Sequence, residues 1–373
     1  MISREDVQGE DPRPKVAVIV LNWNGWLDTL ECLESLQHLA YPNFQVIVVD
    51  NGSIDDSVEK IKNWCQGKIP VQTRFVEFEP RLKPVARLDY SRREAESGGD
   101  VRGETEVEAS SSQTRLILIQ TGENLGFAGG NNAALRYCLE RDYGYFWLLN
   151  NDTVVDSSSL AEMIEVAESD GAIGVAGPMI LFYSRPQCIY SAGLSLSKIG
   201  RRVRRMGIMK HRDAPAFNTR KDVEGIAGCA LLIRQDTVRT IGLLDERYFL
   251  YMEEADWCTR AIQKNYRCVY VPRARIWHKG WASIQSDPQL MDYYLARSQI
   301  LYLKKFSSGA RFVLDVLAYV ARSFLKVVEK SLRTGDFSGW RAQILGLAHG
   351  FSGNYAYRWR KTKTLHGGQR QDG

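Results

Sequence analysis

The sequence contains no uninterrupted run of about 18 apolar residues, the length that a membrane-spanning helix requires. We therefore predict no transmembrane helix in this chain of 373 residues. Residues 1–15 are polar, include Pro12 and Pro14, and lack the apolar stretch of a secretory signal. We predict that residues 1–14 form a disordered N-terminus rather than a signal peptide.

Regularly spaced cysteines are also missing. The seven cysteines include no Cys-x-x-Cys pair and lie scattered within apolar segments. Such a set is typical of reduced, mostly buried thiols in a cytoplasmic protein, and it argues against a zinc site. The net charge of +5 is small for a chain of this size and gives no reason to expect a nucleic-acid partner.

Alternating strands and helices are the clearest pattern that is present. Residues 16–21 are a continuous apolar run, typical of a strand that is buried on both faces, and residues 44–49 form a second predicted strand that ends at Asp50. Each strand is followed by residues with helical periodicity, at 26–39 and 54–64, the second with Ser53 as a candidate N-cap. Successive strand–helix units predict an α/β fold with a mostly parallel, Rossmann-like sheet flanked by helices.

The composition divides the rest of the chain. Residues from about 81 to 112 are rich in Arg, Glu, Gly and Ser without an apolar period, and we predict a flexible insertion there. Residues 189–222 are predicted to be irregular and basic, with Arg201, Arg202, Arg204 and Arg205 close together. We predict one catalytic domain over residues 15–306, followed by amphipathic helices and a basic tail over residues 307–373.

The first of these C-terminal helices allows two interpretations. Apolar residues between 312 and 328 recur at helical spacing, and basic residues occupy the other face and the flanks. The helix could lie on an anionic membrane surface, because such helices combine an apolar and a basic face. It could equally pack on the catalytic domain, since any surface helix needs an apolar stripe.

Polar side chains follow the predicted strands at the edge where ligands bind in open α/β sheets. Asn22 and Asn24 follow the first strand, Asp50 the second, and Asn-Asn-Asp at 150–152 a later one. Asp50 can hydrogen-bond a ribose or a base, or cap the following helix. Asp152 suits Mg²⁺ or Mn²⁺ bound to a diphosphate, or a simple turn. Turn chemistry is the alternative for the two asparagines.

Three further features carry possible chemistry. The glycine-rich segment 122–132 opens a helix whose N-terminus favours an anion, but it matches neither the dinucleotide-binding motif nor the P-loop, and it could have no ligand. His278 could be a second metal ligand, which would suit Mn²⁺, or a structural residue. Glu253, Glu254 and Asp256 lie close enough for one pKa to be raised, as a general base needs. Alternatively, they are simply acidic residues at a helix N-terminus, where the helix dipole favours negative charge.

Together these segments resemble family 2 glycosyltransferases of the inverting, metal-dependent kind, and most of all the bacterial rhamnosyltransferase-like group. The resemblance extends over about residues 15–306, without the insertion. It is carried by Val-Ile-Val-Leu-Asn-Trp-Asn-Gly at 18–25, Val-Val-Asp-Asn-Gly-Ser at 48–53, Glu-Asn-Leu-Gly-Phe-Ala-Gly-Gly-Asn-Asn at 123–132, Leu-Leu-Asn-Asn-Asp-Thr at 148–153 and Trp-His-Lys-Gly-Trp-Ala-Ser at 277–283.

The resemblance implies a type A glycosyltransferase fold and a role for each matching residue. Asp152 and His278 would bind Mg²⁺ or Mn²⁺, and Glu254 would be the catalytic base. The donor nucleotide would be bound by the strand-end and loop residues Asn22, Asn24, Asp50, Asn124, Gly126, Asn131 and Asn151. The chain departs from the family pattern at Asn150, where many members have an Asp, and at Glu254, where the family has a catalytic Asp.

The implied function is transfer of a sugar from a nucleotide diphosphate donor to a glycan or lipid-linked acceptor in cell-surface polysaccharide synthesis. The subgroup suggests rhamnose as the sugar, and the location would be the cytoplasm or the inner face of the plasma membrane. A nucleotidyltransferase also places metal-binding carboxylates at strand ends. A carbohydrate- or membrane-binding protein that has the fold without the activity is the third alternative.

Overall fold

The computed structural model describes residues 13–280, 288–335 and 338–358. Two compact units divide the chain, at residues 1–280 and 281–373. The predicted boundary at residue 306 therefore differs from the structural one, because the helix over 288–306 groups with the C-terminal helices. Part of the predicted N-terminal segment, the end of the basic tail, and the residues Trp281, Ala282 and Ser283 of the last quoted motif lie outside the described residues.

The first unit alternates strands and helices. Its strands are β1 Val16–Asn22, β2 Phe44–Asp50, β3 Ala86–Ser91, β4 Arg115–Gln120, β5 Tyr145–Asn150, β6 Thr153–Val155, β7 Ile173–Phe182, β8 Ile189–Ser191, β9 Leu194–Leu196, β10 Val203–Arg205, β11 Lys221–Val223, β12 Ala230–Arg234 and β13 Arg267–His278. Its helices are α1 Trp26–Gln37, α2 Ser57–Cys65, α3 Arg92–Glu96, α4 Val101–Glu108, α5 Gly126–Leu139, α6 Ser159–Glu168, α7 Gln235–Ile241 and α8 Glu253–Gln263.

One eleven-stranded sheet organises this unit, and strands β3, β4, β2, β1 and β5 lie side by side in parallel within it. Strand β12 pairs antiparallel with both β5 and β7, and β13 runs parallel to β7. The parallel half brings the carboxyl ends of β1, β2 and β5 to one edge. The predicted α/β class with a mostly parallel sheet is confirmed.

The core lies on both faces of the sheet, as the continuous apolar strands predict. Alternate residues of β1 face opposite sides: Val18 joins the cluster beneath α1, while Ile19 joins the cluster beneath α5. Both side chains are fully buried. Of the seven cysteines, six are buried and none forms a disulfide. The predicted helix cap Ser53 is wrong, because α2 begins after Asp56.

The segment 81–112 carries secondary structure that its composition did not predict. Strand β3 extends the sheet beyond β4, and helices α3 and α4 follow it. Glu104 of α4 ties the segment to the rest of the unit, because its carboxylate accepts hydrogen bonds from Arg141 at 2.6 and 2.8 Å and from Tyr90 at 2.8 Å. The prediction of an irregular insertion is therefore corrected to an added edge strand with two helices.

The second unit is helical, with α9 Pro288–Phe306, α10 Gly309–Thr334 and α11 Ser338–Ser352. Helices α9 and α11 approach closely, since a Cβ on Gly346 would lie 2.3 Å from the Tyr293 carbonyl oxygen. The Tyr293 hydroxyl is also 2.8 Å from Nδ1 of His349. Among the described residues, no helix combines the length and the apolar content needed to cross a membrane.

Loss of the Glu104 carboxylate tests whether β3 is held in place by this contact. We expect Glu104→Ala to destabilise the segment by about 1–3 kcal/mol, because hydrogen bonds to a charged group are lost and Arg141 is left partly buried. Amide hydrogen exchange of residues 86–91 should then accelerate. Glu106→Ala, on the exposed face of the same helix, should leave exchange unchanged. Fast exchange of β3 already in the unaltered protein would contradict this account.

Candidate active site

Asp152 and His278 come together at the carboxyl edge of the sheet. Asp152 lies between β5 and β6, and β6 pairs antiparallel with β13 so that Thr153 faces His278. The Nε2 atom of His278 lies 3.1 Å from Oδ1 of Asp152, and the side chains are only 7 % and 12 % exposed. The other oxygen, Oδ2, accepts from the Gly280 amide at 3.1 Å. Two residues predicted separately as metal ligands thus form one buried pair.

Burial and charge act in opposite directions on this pair. Burial alone would lower the pKa of His278, but the Asp152 carboxylate, with a contribution from Cys229, raises that pKa well above its usual value. Burial would raise the pKa of Asp152, but His278 and the Gly280 amide lower it. The pair is therefore a carboxylate beside an imidazole that holds a proton strongly, and a metal ion would have to displace that proton.

The residues fit a divalent metal as a two-ligand anchor. Neighbouring ligands of an octahedral Mg²⁺, at about 2.1 Å from the ion, are separated by about 3.0 Å, close to the separation of Nε2 and Oδ1. The Nδ1 atom of His278 is buried without a hydrogen-bond partner among the described residues. The described part of the chain contains no cluster of three or more His, Cys, Asp or Glu side chains that could hold a metal. The remaining ligands would come from substrate and water.

The ends of β1 and β2 are joined by a buried network. The Asn22 amide donates to Asp50 at 2.9 Å and to the Ser53 hydroxyl at 3.1 Å. Asp50 accepts a second hydrogen bond, from the Ser53 amide at 3.2 Å. Asn22 is fully buried and Asp50 is 4 % exposed. Asn22 therefore positions Asp50, which retains unused lone pairs on its carboxylate oxygens.

Asn24 and Asn151 stabilise the neighbouring turns. Asn24 adopts a left-handed conformation with φ of 51°, and its side chain accepts from the Ile54 amide at 2.8 Å. The Asn151 amide donates to the Gly25 carbonyl at 3.1 Å and to the Thr29 hydroxyl at 3.0 Å. Both predicted donor-binding side chains are thus engaged within the protein, where they fix the turn between β1 and α1.

The glycine-rich loop is likewise satisfied by protein atoms. Asn51 accepts from the Leu125 amide at 3.1 Å, and Asn124 accepts from the Gly126 amide at 2.8 Å. The Phe127 amide donates to the Phe249 carbonyl at 2.7 Å. The first amides of α5 are therefore already bonded, which argues against the predicted anion site at this helix N-terminus.

Gly126 has a packing role in this loop. Its φ is 73°, and a Cβ there would lie 2.4 Å from the Phe249 carbonyl oxygen, so only glycine permits the contact. Asn131, one turn into α5, is 1 % exposed and donates to the Phe127 carbonyl at 2.9 Å. Its side-chain oxygen has no partner within the described structure. The loop, which follows β4 in the chain, thus contacts both the turn after β2 and the segment that precedes α8.

The segment before α8 has a strained backbone and leads directly into the predicted base, Glu254. Phe249, Tyr251 and Met252 all have φ between 63° and 74°, which is costly for residues with a side chain. Glu254 then lies in the first turn of α8, and its Cβ is within contact distance of the space above Gly228. The carbonyl of the next residue, Cys229, accepts from the Asn150 amide at 3.0 Å. Glu254 therefore approaches the edge that carries Asn150 and Asp152.

The two glutamates at the start of α8 hold their protons strongly. Burial, together with the adjacent Glu254 charge, raises the pKa of Glu253 well above its usual value. Burial also raises the pKa of Glu254. Glu254 is partly exposed, whereas Asp256 is fully buried and accepts from Tyr248 and Arg260 at 2.9 and 2.8 Å. Of the acidic cluster, Glu254 is the partly exposed member, whereas the Asp256 carboxylate is used in contacts within the protein.

These contacts bring the strand-end motifs together at one edge of the sheet. A comparison of the sequence with family models identifies the family. A model of Glycosyl transferase family 2 matches residues 17–86 and 102–236, which together cover more than half of the chain. The chain belongs to glycosyl transferase family 2. The predicted family is confirmed, and the matched ranges omit residues 87–101, which contain most of β3 and all of α3.

Two curated members are similar to this family 2 chain over less than half of its length. A low-salt glycan biosynthesis hexosyltransferase, Agl10, from Haloferax volcanii is 25 % identical over 44 % of this chain and 52 % of that protein. An N-acetylglucosaminyl-diphospho-decaprenol L-rhamnosyltransferase from Mycobacterium tuberculosis is 25 % identical over 46 % of this chain and 61 % of that protein. The chain therefore matches only about half to three fifths of each relative.

The type A glycosyltransferase fold is supported by a solved structure. GalNAc-T7, crystallised with UDP, GalNAc and Mn²⁺, superposes with a TM-score of 0.50 at 10 % sequence identity. The match covers 80 % of this chain and 52 % of that one. At this identity the likeness concerns the fold alone.

The structure also identifies residues that sequence patterns missed. Asn51 accepts from the Leu125 amide and organises the β2 turn, and Ser53, predicted only as a helix cap, accepts from Asn22 instead. Lys279 forms ion pairs with Asp28 and Glu31 beside the metal pair. Its position directly after His278 was a signal that could have found it, whereas its acidic partners on α1 follow only from the fold.

The raised pKa of Glu253 predicts a pH-dependent effect on stability. The folded carboxyl keeps its proton to higher pH than the unfolded one, whose ordinary pKa is 4.5, so the folded state binds more protons above that pH. Stability must then fall as the pH rises. We expect Glu253→Gln to be more stable than the unaltered protein at pH 7 in urea unfolding, with the difference vanishing below pH 4.5. A variant that is less stable at pH 7 would contradict this assignment.

Proposed function

We propose that the protein is an inverting, metal-dependent glycosyltransferase that moves a sugar from a nucleotide diphosphate donor to an acceptor hydroxyl. The observation that carries the proposal is the buried Asp152–His278 pair, 3.1 Å apart, at the sheet edge that also carries Asp50. Family membership supports the reaction class. Glu254, on α8, supplies a group of raised pKa close to Gly228, whose neighbour Cys229 bonds to Asn150 at that edge.

Donor binding follows from the strand ends. Asp50, held by Asn22 and Ser53, presents a carboxylate to the ribose or base of the nucleotide. Asp152 and His278 would hold Mg²⁺ or Mn²⁺ at the diphosphate, where the ion supplies charge neutralisation for the leaving nucleoside diphosphate. Asn24, Asn124, Gly126, Asn131 and Asn151 shape the turns around this site.

Glu254 acts as the general base in this proposal. Its carboxylate takes the proton from the acceptor hydroxyl as the hydroxyl oxygen attacks the anomeric carbon. The bond to the nucleoside diphosphate breaks on the opposite face, so one displacement inverts the configuration. A raised pKa suits the role, because a base is most effective when its pKa lies near the working pH. The strained backbone at Phe249, Tyr251 and Met252 fixes where the base enters the site.

The relatives suggest the substrates. The name of the mycobacterial relative describes an enzyme that adds L-rhamnose to a sugar on a decaprenyl diphosphate, and that of the haloarchaeal relative describes a hexosyltransferase of glycan synthesis. We propose a nucleotide-diphosphate hexose, with rhamnose as the first candidate, and a lipid-linked glycan acceptor. The buried, unpaired cysteines agree with a cytoplasmic location.

The second unit has a surface that could bind the membrane in which a lipid-linked acceptor lies. Helix α10 exposes an apolar arc that includes Val313, Leu314, Leu317, Phe324, Leu325 and Leu332. The same helix carries five basic and two acidic residues, so its net charge complements an anionic bilayer. We propose that this face lies on the cytoplasmic surface of the plasma membrane. The exposed apolar arc is the observation that supports this interpretation.

Replacing the base tests the mechanism. We expect Glu254→Gln to lower the rate of sugar transfer by about 10²–10⁴-fold, because proton removal is lost while the shape is kept. Donor binding, measured by calorimetry, should be unchanged. The same change at Glu165, an exposed residue of α6, should leave transfer intact. Transfer at the normal rate by Glu254→Gln would refute the base, and an absence of transfer in the unaltered protein with Mn²⁺ would refute the proposed function.

Replacing apolar residues of α10 tests the membrane contact. The double variant Leu317→Gln, Phe324→Gln should reduce sedimentation with phosphatidylglycerol vesicles by at least about tenfold, since each apolar side chain contributes about 1.5–3 kcal/mol on burial. The control Ile262→Gln, at an exposed apolar site of the first unit, should bind as before. Equal binding by the double variant, or no preference over phosphatidylcholine, would contradict a membrane-bound α10.

A further inference from the structure

The arginine-rich segment has one member, Arg205, that contacts an aromatic ring beside the Asp152–His278 pair. We propose that Arg205 binds a phosphate group of the diphosphate that occupies the Asp152–His278 site. Its guanidinium carbon lies 4.1 Å from the centre of the Tyr190 ring. The same Tyr190 ring also contacts the proposed metal ligand His278, which it meets edge to face at 4.8 Å.

The β9–β10 hairpin determines which arginine faces the site. Side chains alternate along a strand, so Val203 and Arg205 share one face of β10 and Arg204 occupies the other. Val203 packs against the core cluster, and Tyr190 packs against the same cluster. The Met206 amide donates to the Gly193 carbonyl at 2.9 Å, which fixes the strand end directly after Arg205. Arg204 therefore has the same charge on the opposite face.

Tyr190 is itself held firmly. It lies in the middle of β8, between the fully buried Ile189 and Ser191, and projects from the opposite face. Phe182 meets its ring edge to face at 5.1 Å. Gly280, which donates to Asp152, leaves room beside it, because a Cβ there would lie 3.3 Å from the Tyr190 ring. The Tyr190 ring beneath Arg205 therefore packs directly against the Asp152–His278 pair and Gly280.

The stacked guanidinium keeps its hydrogen-bonding capacity. Stacking uses the face of the planar group, whereas the N–H donors point outward in its plane. In the part of the chain that the structure describes, the exposed Arg205 side chain donates no hydrogen bond and forms no ion pair. An arginine oriented by a ring, with unused donors in a planar fork, is suited to bidentate binding of phosphate oxygens.

A diphosphate at this site would need additional positive charge nearby. A diphosphate at this edge approaches two carboxylates, Asp50 and Asp152, and Lys279, which directly follows His278, is already paired with Asp28 and Glu31. Arg205 would then supply positive charge from the opposite side of Tyr190. The inference rests on the proposed transfer reaction for its ligand, which is the diphosphate of either the nucleotide donor or a lipid-linked acceptor.

Calorimetry on the full chain tests binding without turnover. Inorganic pyrophosphate, thymidine diphosphate and farnesyl diphosphate are each titrated with EDTA and again with Mn²⁺. We expect Arg205→Gln to weaken pyrophosphate binding by at least about tenfold, the effect of losing a charge-assisted hydrogen bond. Arg205→Lys should weaken it less, because the charge remains while the fork is lost. Arg204→Gln, which removes the same charge from the opposite face, should bind like the unaltered protein.

The outcomes separate the possible sources of the diphosphate. Weaker binding of thymidine diphosphate alone assigns Arg205 to the donor, and weaker binding of farnesyl diphosphate alone assigns it to the acceptor. Unchanged binding by Arg205→Gln, an equal loss in Arg204→Gln, or no diphosphate binding by the unaltered protein would overturn the proposal. If Arg205→Gln does not fold, as melting would show, Arg205→Lys carries the test. Diphosphate binding without sugar transfer would refute the proposed function and leave the Arg205 site standing.

Discussion

The antiparallel pairing of β6 with β13 is the constraint on which the site depends. It sets Thr153 opposite His278 and so brings the imidazole against Asp152, at the end of a strand that is paired in parallel with β1. A slip of one residue would turn every side chain of β13 to the other face and separate the pair. The metal-binding hypothesis is therefore as firm as this register.

Around the pair, the polar motif residues are mostly scaffold. Asn22, Asn51 and Asn151 use their side chains to join the turns that follow β1, β2 and β5. Internal bonds of this kind satisfy buried polar groups, and in our proposal Asp50 and Asp152 are the carboxylates presented to ligand. Phe249, one of the strained residues before α8, packs against Gly126, so Glu254 and the glycine-rich loop are positioned together.

The sequence predicts the parts of the fold whose signals are local. Strands β1, β2 and β5 are mostly apolar up to the polar residue that ends each of them, because both faces of a central parallel strand are buried. Strand β3 escapes prediction because it is an edge strand, partly exposed along most of its length, and Glu104 holds it through a distant contact with Arg141. The motifs identified Asp152, His278 and Glu254 singly. The stacking of Arg205 on Tyr190 could not be foreseen, since it depends on how β8 meets the β9–β10 hairpin.

The most direct test of the account is electron spin resonance of Mn²⁺ bound to the protein in the presence of a nucleoside diphosphate. We expect one bound ion whose spectrum shows coupling to an imidazole nitrogen, and loss of that coupling in His278→Ala. We also expect Asp152→Asn to weaken binding of the ion. A bound ion without nitrogen coupling, or a coupling that survives the His278 substitution, would contradict the assignment of this pair as the metal anchor.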